Sequence, residues 1–190
     1  MVFTNKIHSM KTIKFTAVTI FIIATRAYDY MCTQAFTPDL SKESNPLVSV
    51  FGFHWTRLMT ILIVLGIYVI YAYYVSLFST VNILPAEKGL SFKEFATYVY
   101  LGHQDSWLAI LWKLPNSFTR FNVACGSVLC YTVVWAGVIT TGMWLLINNT
   151  NWYYQSYHKP GTIISIIILG GFTIMYLNFK KLYRNYCAIK

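Results

Sequence analysis

Four apolar runs constrain this chain more than any other feature. They cover residues 15–36, 58–81, 123–147 and 162–179. Each approaches the ~20 residues that a helix needs to cross about 30 Å of hydrocarbon. Barrel strands would be nearer ten residues and would alternate apolar with polar positions, which these runs do not. The expected fold is therefore an all-α integral membrane protein with four transmembrane helices. The second helix should begin at residue 46, because Asn45 suits an N-cap and Pro46 at the next position needs no amide partner. The whole chain then reads as one four-span domain, with spans at 15–36, 46–81, 123–147 and 162–179.

Composition agrees. Only 11% of the residues are charged, against about 25% in ordinary soluble domains. The 15 Tyr and 6 Trp suit a membrane–water interface, where one end of the ring is apolar and the other wet. A net charge of +9 raises the question of nucleic acid. Its placement argues against that, because the cations bracket the apolar runs and form no continuous stripe. Eleven Lys and Arg fall in the N-terminal tail, the 82–122 connection and the C-terminal tail, and only Lys42 and Lys159 in the other two connections. By the positive-inside rule both termini and the 82–122 connection face the cytoplasm. Lys-rich residues before the first run resemble a signal peptide, but Arg26 and Asp29 interrupt the run and no A-x-A site follows, so it is expected to be retained. Asn148-Asn149-Thr150 on the external side matches a glycosylation sequon, a pattern that chance also produces.

The 82–122 connection is too long for a turn. Leu90, Phe92, Phe95, Val99, Trp107, Leu111 and Trp112 alternate there with charged residues, the pattern of an amphipathic segment lying on the inner membrane surface or covering the bundle. A cytoplasmic cap that binds a partner is the other reading. Leu90-Ser91-Phe92-Lys93-Glu94 looks like a helix start with Ser91 or Asn82 as cap, and Pro115 ends the segment. Gly137, Gly142, Gly161 and the Gly170-Gly171 pair are expected at close helix contacts. Cys32, Cys125, Cys130 and Cys187 show neither CxxC nor metal-ligand spacing, and His8, His54, His103 and His158 are equally scattered. No disulfide framework, metal site or cofactor is expected.

The most informative polar residues lie in and after the first run. Arg26 sits about twelve residues beyond Lys14, or ~18 Å along a helix, where a charge costs roughly 2.5–3.5 kcal/mol on insertion scales. Asp29 and Thr33 share its helix face. A second helix starting at Pro46 would put Arg57 about three turns inside, at the depth of Asp29. Glu43 lies just before that start, at the positive end of the dipole. The expectation is a cluster of Arg26, Asp29, Thr33, Glu43, Asn45 and Arg57 at the outer half of a hairpin, with Asp39 and His54 as an outer-face ligand site. The cluster reads either as a buried ion-pair lock or as a polar cavity for an ion, proton or ligand.

Asp29-x-x-x-Thr33 followed by Glu43-x-Asn45-Pro46-Leu47 resembles the pattern of an uncharacterised bacterial family of small multipass membrane proteins. The resemblance covers the first hairpin, about a quarter of the chain. It implies the hairpin and a bacterial origin, and with them a bacterial inner (plasma) membrane as the location, but no activity, since none is assigned to that family. Residues 36–40, Arg26 and the long middle connection depart from the pattern.

No GxSxG, HExxH or paired-Asp signature is present, so no catalytic residue is assigned. The favoured reading is a non-catalytic membrane subunit, an anchor, sensor or assembly partner that recruits a protein through its cytoplasmic face, as a homo-oligomer or a hetero-complex. An oligomeric channel or transporter using the Arg26/Asp29 cluster is the alternative. No half-to-half repeat or selectivity filter supports it. An intramembrane enzyme using Asp29, Asp39, Glu43 or His54 ranks last.

Overall fold

A computed structural model describes residues 2–43, 45–156 and 158–188. They form α1 (Val2–Phe36), α2 (Pro46–Ser49), α3 (Trp55–Phe78), α4 (Phe92–Leu101), a 3-10 helix (Trp107–Leu111), α5 (Phe118–Asn149), α6 (Asn151–Ser156) and α7 (Pro160–Ala188). There is no strand among the described residues. Three helices, α3, α5 and α7, are long and apolar enough to cross a membrane. α1 is as long but carries Arg26 and Asp29, which lower its apolar character.

The second expected span is shorter than its sequence pattern. Asn45 does cap a helix, its side chain accepting the Leu47 amide, with Pro46 at the first position. That helix stops after one turn. Gly52 takes φ +66°, a left-handed conformation that ends helices readily because glycine has no Cβ to clash. The chain restarts at Trp55, where the His54 carbonyl accepts the Leu58 amide. Arg57 consequently lies in the first turn of α3, not three turns inside a helix.

The chain divides into two compact units, and α1, α3, α5 and α7 each give residues to both. The first comprises Met1–Phe15, Val69–Tyr131 and Gly171–Lys190. Its core gathers Ile83, Phe95, Val99, Ala124, Cys125, Phe179 and Tyr186. α4 starts with a capping box, in which Ser91 Oγ accepts the Glu94 amide and the Glu94 carboxylate accepts the Ser91 amide. It ends at Gly102 in the left-handed conformation, φ +88°. Asn82, the other expected cap, instead accepts the Leu84 amide in a local turn. Two tyrosines of α7 hold the stretch before α4. Tyr186 donates to the Glu87 carbonyl and accepts the Leu90 amide, and Tyr183 donates to the Leu90 carbonyl. Each bond satisfies a backbone group that no helix could satisfy there. α3 meets α5 at Gly126, where any Cβ would fall 2.0 Å from the Ala72 carbonyl oxygen. Ser76–Ser127 and Tyr73–Tyr131 hydroxyl pairs flank that approach.

The second unit comprises Thr16–Tyr68 and Thr132–Gly170. α5 contacts α7 where Trp135 donates its indole N–H to the Ile166 carbonyl, 3.1 Å away. Gly170 makes room for that ring, since a Cβ would lie 1.9 Å from Trp135 Nε1. α1 and α5 run side by side in the same direction. Thr25 meets Gly137, Arg26 meets Thr140, Asp29 meets Trp144, and Cys32 meets Asn148.

Candidate functional site

The polar residues of α1 form a network with α5. Arg26 Nη1 lies 3.2 Å from Asp29 Oδ2, one helical turn along, and Nη2 donates to Thr140 Oγ1 at 2.8 Å. The other carboxylate oxygen, Oδ1, accepts the indole N–H of the buried Trp144 at 2.7 Å. Both oxygens of Asp29 are therefore engaged, one by a cation and one by a neutral donor. Charge-assisted bonds of this kind are the stronger class in a low-dielectric setting. Close approach of the two helices is what permits the reach. Gly137 is buried on α5, and a Cβ there would lie 2.6 Å from Thr25 Oγ1. Thr25 turns its own hydroxyl back onto the Phe21 and Ile22 carbonyls.

The remaining residues of the expected cluster do not join this network in the way the hairpin pattern suggests. Thr33 is buried on the same face of α1, one turn beyond Asp29. Glu43 accepts the Asn45 amide at 2.8 Å, and Asn45 caps α2. Arg57 is exposed, because the break at Gly52 moves it to the start of α3. The network around Arg26 is thus built with one carboxylate, Asp29, and its other partners come from α5.

The loop after α1 is a separate, self-contained structure. Asp39 Oδ1 accepts the Ser41 amide and hydroxyl and the Thr37 hydroxyl. The Ser41 amide is the main reason that its carboxyl is held below the usual range, with the two hydroxyls helping. Leu40 is buried at φ +60°, and Trp55 donates its indole N–H to the Pro38 carbonyl at 2.6 Å. That tie fastens the loop to the start of α3, flanked in sequence by Asp39 and His54. His54 is exposed, and the Asp39 carboxylate faces its own loop. No group of three or more His, Cys, Asp or Glu able to hold a metal occurs among the described residues.

Beside the network lies an open groove of about 400 Å³ lined by Tyr28, Met31, Cys32, Ala35, Phe36 and Asn148. Asn148 Nδ2 points to Cys32 Sγ at 3.6 Å. Its lining is mostly apolar, with the Tyr28 phenol, the Cys32 thiol and the Asn148 amide as its polar side chains. Sequence reasoning missed Thr140 and Trp144. Their signal was a stripe on α5, Gly137, Thr140 and Trp144 at spacings of three and four, which shares one helix face.

The fold defines an all-helical protein with three helices long and apolar enough to span a membrane and a paired charge on a fourth long helix. No family model matches the chain, and no curated protein or solved structure matches it significantly.

Proposed function

We propose that this chain is a four-span, non-catalytic membrane subunit that recruits a protein partner through a cytoplasmic face. The single observation that carries the reading is the closure of the Asp29 carboxylate by Arg26 and Trp144. A carboxylate with both oxygens occupied by its own helix and a neighbouring helix acts as a fastener. The same closure supports α1 as the fourth span. Thr25 to Cys32 of α1 lie along Gly137 to Asn148 of α5, so if α5 crosses a bilayer its neighbour shares that depth. Pairing lowers the cost of Arg26 there.

Charge distribution supports the recruiting face. The first unit holds eleven of the fifteen Lys and Arg and three of the six acidic residues. Its termini and the 82–122 connection are the segments that the positive-inside rule places in the cytoplasm. The hairpin resemblance adds a bacterial inner membrane as the location.

The test is purification of the tagged protein in mild detergent, compared with an Asp29→Asn variant. Co-purification of a stoichiometric soluble protein with the wild type, together with lower thermal stability of the variant, is the expected result. Equal stability of both forms as partner-free homo-oligomers would overturn it.

One observation favours a channel or transporter as the second reading. Arg26 Nε, Thr19 Oγ1 and Thr141 Oγ1 are buried in the second unit without a protein hydrogen-bond partner. Unpaired polar atoms in an apolar bundle are costly unless something polar visits them. That reading expects Arg26→Gln to abolish ion flux in reconstituted vesicles while the protein still folds.

A further inference from the structure

We infer that residues 107–118 form an interfacial anchor that seats on the headgroup layer of an anionic bilayer. The segment presents large apolar side chains that the described residues leave mostly uncovered. Trp107 is 54% exposed, Leu108 40%, Leu111 75%, Trp112 65%, Leu114 78% and Phe118 66%. Six large apolar side chains within twelve residues far exceed the scattered exposure normal on a soluble surface. Two of them are tryptophans, the side chain that most favours the headgroup level.

The position of the segment identifies its occupant. Phe118 opens α5, which is long and apolar enough to cross a membrane. Leu111 is seven residues earlier, so even a fully extended chain keeps it within about 25 Å of that entry point. Local turns shorten the reach. Lys113 donates to Asp105 at the end of the 3-10 helix, and the Asn116 amide returns to the Leu101 carbonyl. A membrane entered at α5 therefore has its surface beside this segment. The inference rests on α5 being a span, and it adds an assignment for a face that the subunit reading leaves unexplained.

Charge sets the lipid class. Asp105 is the only acidic residue between Phe95 and Asn122, and Lys113 at 2.6 Å and His103 at 3.5 Å cover its carboxylate. No uncovered anion in the segment opposes a negative surface. Lys93 Nζ lies 5.5 Å above the Trp107 ring, where the ammonium stays beside the aromatic face and meets headgroup phosphates as the ring enters the interface. The eleven Lys and Arg of the first unit add a long-range attraction that fades within a Debye length.

The experiment uses the full chain reconstituted in vesicles of phosphatidylcholine, with and without phosphatidylglycerol, carrying acyl chains brominated near the headgroup. Trp107→Phe/Trp112→Phe should lose about a third of the bromolipid-quenched emission, in proportion to two of the six Trp, and wild-type quenching should rise when phosphatidylglycerol is present. Lys93→Gln should remove most of that rise without changing the helical content. Trp107 and Trp112 that iodide quenches fully from the aqueous side, with no bromolipid difference between wild type and double variant, would overturn the anchor and indicate a protein-binding face. A bromolipid difference that phosphatidylglycerol leaves unchanged would overturn the anionic preference. Resistance to alkaline carbonate extraction reports the span separately. A protein that is extracted, yet shows the bromolipid difference before extraction, retains the anchor and loses the span.

Discussion

At the scale of single residues, the contact between α1 and α5 depends on an absence and a carboxylate. Gly137 supplies the absence. Its Cβ would meet Thr25 Oγ1 at 2.6 Å, Thr25 Cβ at 3.1 Å and Arg26 Nη2 at 3.4 Å, and Thr25 is held in place by its carbonyl partners. Gly137→Ala should therefore destabilise the protein by about 1–3 kcal/mol, the usual range for overpacking. Adding Thr25→Ala should recover part of the loss, read as thermal unfolding in detergent. Asp29 supplies the carboxylate. Arg26 and Asp29 side chains are 37% and 26% exposed, so the full worth of a buried pair is not expected. Asp29→Ala strands two donors, Arg26 and the buried Trp144 indole, and should cost about 1–3 kcal/mol. Trp144→Phe combined with Asp29→Ala should cost less than the sum, because the two side chains share one bond. Strict additivity would show that the bond contributes nothing. Arg26 and Asp29 were legible because charges inside an apolar run stand out. Thr140 and Trp144 were not, since neither residue is unusual until its helix neighbour is known. Glycine was half legible. Gly137 and Gly170 do make close contacts, Gly142 and Gly161 face open space, and Gly126 escaped notice because its neighbour is a backbone carbonyl of α3.

At the scale of elements, local chemistry decides where helices start and stop. A helix start at Leu90–Glu94 was readable with Ser91 or Asn82 as its cap; the structure selects Ser91, and the S-x-x-E spacing adds a reciprocal bond from Glu94. Ser91→Ala should cost α4 about 0.5–2 kcal/mol, seen as faster amide exchange over Phe92–Leu101. The box is also acid-sensitive. The Ser91 amide and hydroxyl hold the Glu94 carboxyl below its usual range. A depressed carboxyl favours the folded form fully above the unfolded value and loses that contribution as pH falls through the folded value. The protection factors of the α4 amides, with the intrinsic pH dependence of exchange divided out, should accordingly fall on acidification below the ordinary glutamate range, and Glu94→Gln should flatten that dependence. The start of α3 was misread for a reason of the same kind. Asn45-Pro46 is a true helix start, but a one-turn helix satisfies it equally well. The later break needs Gly52 at a positive φ, and glycine at that position announces freedom without saying that the chain uses it.

At the scale of the whole molecule, the length and non-alternating apolar character of the runs made the helical class legible, while the number of crossings depends on α1. Its apolar stretch is interrupted by Arg26 and Asp29, so length and composition single out α3, α5 and α7 only. Pairing changes the balance, because a lone Arg at the bilayer centre costs roughly 2.5–3.5 kcal/mol on insertion scales and a carboxylate one turn away offsets part of that. The parallel course of α1 and α5 through Thr25–Gly137 and Cys32–Asn148 leaves little room for α1 to lie flat on a surface while α5 crosses. The two alternatives differ in one observable. Four crossings put both termini on the same side, whereas three, with α1 outside the hydrocarbon, put them on opposite sides. Protease protection of small tags fused at each end of the protein, assayed in sealed inverted membrane vesicles, should show both tags digested before detergent is added. Digestion of the C-terminal tag alone would mean that α1 stays on the far surface, and the Arg26–Asp29 pair would then be an interfacial contact rather than an intramembrane one.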